Sequence, residues 1–173
     1  MRTEDRYRDT IAANRDRIYR ICCCYVRNDD ERKDVYQEIL INIWQNLHRF
    51  EGRSEIGTWV YRISVNTCLG FLRSERRRKA VFEQDPLVAA ERLANAAADP
   101  ETPEADEQVE RLYDCIGRLP LVDRALISLY LEDLTTEQIS EILDISASNV
   151  RVKVHRIKKT IKQCWESAGN GLE

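Results

Sequence analysis

The 173 residues suit one ordinary domain or two small ones, since domains commonly run from about 50 to 200 residues. A charged fraction of 33 % beside a hydrophobic fraction of 43 % excludes wholesale disorder. No apolar run approaches the length of about 18 residues that spans a bilayer, so the chain is expected to be cytoplasmic and not membrane-embedded. The net charge of −3 hides a partition: residues 1–79 carry 17 basic and 12 acidic side chains, 80–111 carry 2 and 9, 112–133 carry 2 and 4, and 134–173 carry 6 and 5.

In chain order, Ile11, Ile18, Ile21 and Tyr25 recur at helical spacing, Val35, Ile39, Ile43 and Leu47 do so again, and Ile56, Val60, Ile63 and Thr67 mark a third helix. Gly70 falls inside that third helix at a cost of about 1 kcal/mol. A flexible acidic linker is expected from about Ala80 to Asp106, where Pro86, Pro100 and Pro103 interrupt an Ala-rich stretch with little to pack. Beyond it, Leu112 to Leu119 gives one helix, Pro120 fits the first turn of a second that runs to about Leu131, and two more follow. No strand-like alternation competes, so the fold class is all-α, in two small helical domains (1–79 and 109–173) joined by a linker over 80–108.

The six cysteines, Cys22, Cys23, Cys24, Cys68, Cys115 and Cys164, include no CxxC pair, and neighbours on a helix point about 100° apart. With only His48 and His155 as nitrogen donors, no metal site and no cofactor are expected. The cysteines are read as buried, reduced thiols acting as small hydrophobes. The sequence also shows no Gly-rich phosphate loop, no nucleophile with a local base and no carboxylate pair in a plausible pocket. An enzyme is therefore not expected, and neither is a small-molecule substrate.

Thr135 followed three residues later by Gln138 is a capping-box pattern, and the helix it starts should stop near Asp144. A second start at Ser146 places Val150, Val154, Ile157 and Ile161 on one face. Two helices joined by a short turn, with small Ser140 at their crossing, match a DNA-binding helix-turn-helix. Its second helix exposes Arg151, Lys153, Arg156, Lys158, Lys159 and Lys162 with no acid before Glu166. A solvated basic face is the plain alternative; joined to the turn pattern, the charge points to phosphates. Ser148, Asn149, Arg151, Val152, His155 and Arg156 occupy the half that enters a major groove. Arg151 and Arg156 suit guanine, while Lys153, Lys158, Lys159 and Lys162 suit the backbone.

The segment "DVYQEILINIWQNLHRFEGRSEIGTWVYRISVNTCLGFLRSERRR", Asp34 to Arg78, resembles region 2 of the extracytoplasmic-function (ECF) sigma factors without gaps. The lobe from about Val109 to Cys164 resembles region 4 of the same family, which reads the minus-35 element. The resemblance implies that Asp34, Gln37, Glu38, Ile41 and Trp44 bind the clamp coiled coil of polymerase's beta-prime subunit. Trp44 in a plain core role is the alternative. It further implies that Phe50 and Asn66 shape a pocket for a flipped base near minus-10, with Trp59 and Tyr61 assisting; Trp59 also suits helix packing. Arg73, Arg76, Arg77 and Arg78 would hold the separating strands there. The implied partners are core RNA polymerase (beta-prime clamp and beta flap), promoter DNA and an anti-sigma factor, with no catalysis. Against these stand two rivals: a dimeric regulator that binds duplex unaided, and a thiol enzyme.

Overall fold

A computed structural model describes residues 3–82 and 104–169. Helix α1 spans Thr3–Tyr25, α2 Asp29–Asn46, and a single 3-10 turn, Leu47–Arg49, leads through an irregular loop to α3, Ile56–Phe82. Asn28 starts α2: its side chain accepts from the Asp30 and Glu31 amides at 3.0 Å each. Asp29, Asp30 and Glu31 then place negative charge on the positive end of the helix. The expected stripes meet in the middle of this lobe, with Ile18, Ile21, Val35, Ile39, Ile43, Leu47 and Val60 sealed from solvent.

The second lobe contains α4 (Glu104–Gly117), α5 (Leu121–Tyr130), α6 (Thr136–Leu143) and α7 (Ala147–Gly169). Both ends of the expected linker are helical: residues 80–82 continue α3 and 104–106 open α4, while 83–103 lie outside the described residues. Pro120 sits one position earlier than expected. It is the cap of α5, in an extended conformation, and its carbonyl accepts from Arg124 N at 2.9 Å. The missing N–H is harmless there as well. The capping box at α6 forms in both directions, Gln138 N to Thr135 Oγ1 at 3.2 Å and Thr135 N to Gln138 Oε1 at 2.8 Å. Asp144 ends α6 with φ of 53°, a left-handed conformation that Asp tolerates better than most residues. Ser140 fastens the turn by donating from Oγ to the Ile145 carbonyl at 2.6 Å.

The cysteines divide. Cys115 on α4 and Cys164 on α7 are bonded, with Cα atoms 5.8 Å apart across 49 residues, which corrects the expectation that both are reduced. Their approach is set by helix packing, which no local spacing reports. The other four are free thiols, buried in the first lobe. A hydrogen bond with Cys22, together with burial, raises the Cys68 thiol well above its ordinary pKa, and burial raises Cys23 and Cys24.

The two lobes are not held apart. Helices α4, α5 and α6 pack onto α1 and α3, and the buried side chains of both lobes form one continuous cluster, with Tyr25 Oη 3.5 Å from Ser128 Oγ at its centre.

Candidate functional site

Three surfaces collect the residues singled out in the sequence. On α7, Val150 and Ile157 are buried against the lobe. That anchoring turns Ser148, Asn149, Arg151, Val152, His155, Arg156 and Lys159 to solvent. Ser146 caps this helix, accepting from Asn149 N at 3.3 Å. Lys153, expected on the DNA backbone, is instead half-buried with its Nζ 2.9 Å from Asp123 Oδ1, an attachment of α7 to α5. Lys158 similarly leans over the Tyr130 ring, 4.2 Å from its centroid. The side that remains is basic and polar apart from Val152, which is 51 % exposed, and such chemistry suits contact with a duplex.

The second surface is a shallow pocket of about 310 Å³ lined by Arg49, Phe50, Ser54, Trp59 and Arg62, among others. The Phe50 and Trp59 rings lie 5.4 Å apart and are tilted, and the Arg6 guanidinium sits 5.2 Å above the Phe50 ring. Phe50 and Trp59 are half-buried, so part of each ring is left to solvent. Along α3 the residues Trp59, Arg62, Asn66, Arg73 and Arg77 recur at steps of three, four or seven, so the pocket runs into a basic stripe. Asn66, Arg73, Arg76, Arg77 and Arg78 are exposed, with Arg78 paired to Glu75. Gly70 lies on the same stripe with nothing within 4 Å of the position a Cβ would take, leaving the helix bare there.

Tyr61 is a correction. It is buried, donating from Oη to Asn14 Oδ1 and accepting from Arg17 Nη1, both at 2.9 Å, so it ties α3 to α1 and offers nothing to DNA. Arg62 was not singled out in the sequence, although its place three residues after Trp59 carried the signal.

The third surface lies on α1 and α2. Ile41 is 53 % exposed and Trp44 43 % exposed, large apolar groups in open water, which removes the core role for Trp44. Tyr7 meets the Trp44 ring edge-on at 5.0 Å, and with Ile11 the two line an apolar groove of about 480 Å³. Exposed Asp34, Gln37 and Glu38 continue the same face of α2. A further apolar groove, of about 290 Å³ and not foreseen in the sequence, lies where α4, α5 and α7 meet, lined by Leu112, Ile127, Tyr130, Leu131, Ile161 and Trp165. The Arg111 guanidinium covers the Trp165 ring at 4.8 Å.

Among the described residues no group of His, Cys, Asp and Glu is placed to hold a metal ion, and no helix is long and apolar enough to cross a membrane.

Comparison with known proteins gives two family matches in chain order, Sigma-70 region 2 over residues 10–78 and Sigma-70, region 4 over residues 109–161. The ECF RNA polymerase sigma factor SigW of Bacillus subtilis is 27 % identical over 169 residues, covering 92 % of this chain and 89 % of that protein. The ECF RNA polymerase sigma-E factor of Haemophilus influenzae is 34 % identical over 146 residues, covering 80 % and 76 %. Among solved structures, the sigma factor RpoE in complex with the anti-sigma factor NepR from Bartonella quintana shares the fold, with a TM-score of 0.71 at 14 % identity, covering 92 % of this chain and 96 % of that one. CnrH in complex with the cytosolic domain of CnrY gives 0.69 at 14 % identity, covering 95 % and 90 %. An aromatic pocket beside a basic stripe, a helix-turn-helix with a basic second helix and two sigma regions in family order meet in one all-α chain, which belongs to the ECF group of the sigma-70 family, the factors that direct RNA polymerase to promoters.

Proposed function

We propose that the three surfaces divide the work of promoter-specific initiation, with residues 1–79 as the domain that docks on core polymerase and opens DNA, 80–108 as the connecting segment, and 109–173 as the domain that reads minus-35. Ile41 and Trp44 insert into the beta-prime clamp helices, rimmed by Asp34, Gln37 and Glu38. Phe50 and Trp59 stack a base extruded from the minus-10 element, Asn66 hydrogen-bonds its edge, and Arg62, Arg73, Arg76 and Arg77 follow the strand's phosphates. Arg151 and Arg156 read guanine in the minus-35 major groove, flanked by Ser148, Asn149, Val152 and His155, with Lys159 on the backbone. The groove between α4, α5 and α7 takes an apolar segment of the polymerase beta flap. The work is done in the cytoplasm, and an anti-sigma protein restrains the factor, a reading supported by the likeness to RpoE in complex with the anti-sigma factor NepR.

The observation that carries this reading is the exposure of Trp44 and Ile41 on one helix of the lobe that also bears the aromatic pocket, since an exposed apolar patch marks a surface for a protein partner. The test is capture of purified bacterial core polymerase followed by run-off transcription on a library of promoter fragments. Capture with new, selective transcripts is expected. Tight duplex binding by the chain alone, with no capture, would favour a dimeric regulator.

A further inference from the structure

The Cys115–Cys164 bond belongs to none of the three surfaces assigned to polymerase and DNA. Disulfides are rare in the reducing compartment where bacterial transcription takes place, and those that do form there are usually transient and respond to the thiol pool. The two sulfurs differ in access. Cys115, on α4, is only 4 % exposed, whereas Cys164, on α7, is half-buried, so a small thiol or disulfide can approach the bond from the α7 end. The other four cysteines are sealed inside the first lobe, where burial raises the Cys23 and Cys24 thiols and leaves them poor nucleophiles.

Position links the bond to the apolar groove where α4, α5 and α7 meet. Leu112 stands three residues before Cys115, while Ile161 and Trp165 stand three before and one after Cys164, and all of them line that groove. The bond, with Cα atoms 5.8 Å apart, thus ties two walls of the groove together. Little else does so at this end. Beyond Ile157 no described residue of α7 is buried, and its last turns rest on the half-buried Ile161, Cys164 and Trp165. The Arg111 guanidinium adds a place over the Trp165 ring at 4.8 Å and a long bond of 3.4 Å to the Trp165 carbonyl.

From these observations we infer that Cys115 and Cys164 form a thiol–disulfide switch on the groove: oxidation fixes the end of α7 against α4 and presets the groove for polymerase, and reduction frees that end and weakens the hold. This rests on the assignment of the groove to the beta flap and of the protein's work to the cytoplasm. The oxidant is a low-molecular-weight disulfide, RSSR. The Cys164 thiolate attacks one sulfur of RSSR, giving a Cys164–S–S–R mixed disulfide and releasing RS−. The Cys115 thiolate then attacks the Cys164 sulfur, closing the protein bond and releasing the second RS−. Two electrons pass from the cysteines to RSSR, and the two cysteine protons leave with it as two RSH. Reduction by two RSH retraces these steps, beginning with attack of RS− on the accessible Cys164 sulfur. Once the bond is open, only the fraction of molecules with α7 still docked presents the groove, and affinity falls by that fraction.

The test uses the full-length chain equilibrated in mixtures of reduced and oxidised glutathione. Mass spectrometry after alkylation gives the state of each cysteine, and competition against a labelled reference sigma factor gives the affinity for purified core polymerase. The 115–164 pair should open and close across the series, and the oxidised form should bind several-fold more tightly than the reduced one. Cys115→Ser, which keeps Cys164 and the four thiols of the first lobe, should bind like reduced wild type in every mixture. Leu131→Ser, an exposed change in the groove wall, should weaken the oxidised form and narrow the difference between the two states. A bond that glutathione cannot open would overturn the switch. So would oxidised and reduced forms that bind equally while only the thermal transition moves, the mark of a plain structural staple. Should Cys115→Ser lose helix content by circular dichroism, oxidised against reduced wild type and Leu131→Ser decide the matter. A redox difference that Leu131→Ser leaves intact removes the groove from the switch and overturns it as stated. Failure of both wild-type forms to capture polymerase refutes the sigma surfaces, whereas equal capture refutes only the switch.

Discussion

Truncating Trp44 to alanine should weaken the factor's hold on core polymerase far more than its own fold. Trp44 is 43 % exposed, and a tryptophan presents about 250 Å², so about 110 Å² of surface remains to be covered by a partner. At about 25 cal/mol per Å², that area is worth about 2.7 kcal/mol, a factor of about 100 in Kd. The intramolecular loss is smaller: the edge-on contact with Tyr7 at 5.0 Å is worth about 1 kcal/mol beyond its area. A competition titration against a labelled reference sigma factor measures the first quantity, and urea unfolding the second. Trp44→Ala protein that is fully folded and competes as well as wild type would refute the assignment of α2 to the clamp.

Asn66→Ala should leave polymerase capture intact and impair promoter opening, measured by permanganate reactivity of unpaired thymines; equal reactivity to wild type would remove Asn66 from the pocket's work. Arg151→Ala should cost about 1–3 kcal/mol and relax preference at a single base pair of the minus-35 element, whereas Lys159→Ala should weaken all sequences alike and lower the salt slope by about 1, both read from binding isotherms of holoenzyme on upstream duplex variants. The Cys115–Cys164 bond closes a 49-residue loop around α5, α6 and most of α7, so reduction or Cys115→Ser should lower the stability of the DNA-reading lobe by about 4 kcal/mol in the chain-entropy view, visible as an earlier thermal transition under reductant. An identical transition with and without reductant would mean the thiols do not pair in solution.

Where the fold was legible in the sequence, a period or a cap made it so. Val35, Ile39, Ile43 and Leu47 announce the buried face of α2 because a helix returns to one side every three or four residues. Thr135 and Gln138 announce α6 because the first amides of a helix need acceptors. Tyr61 was misjudged although Ser64, Val65 and Cys68, three, four and seven residues on, are all buried; its helical face outweighed its family position. Lys153 could not be told from its neighbours, since its partner Asp123 lies 30 residues away. The same holds for the disulfide and, most of all, for the ion pair of Arg20 and Glu132, which are 112 residues apart: local pattern reports which face is apolar, not what that face meets.

Gln138 shows how a helix cap and the contact between the lobes share a single side chain. Its amide oxygen completes the cap of α6 while its amide nitrogen reaches into the other lobe, toward Glu55 and Thr58. Glutamate serves the cap equally well, since a carboxylate accepts from the Thr135 amide and suits the positive end of a helix. It has no hydrogen to offer Glu55, however, and would face it charge to charge. Exchanging one NH2 for one oxygen would therefore leave α6 capped while loosening the contact between the two lobes.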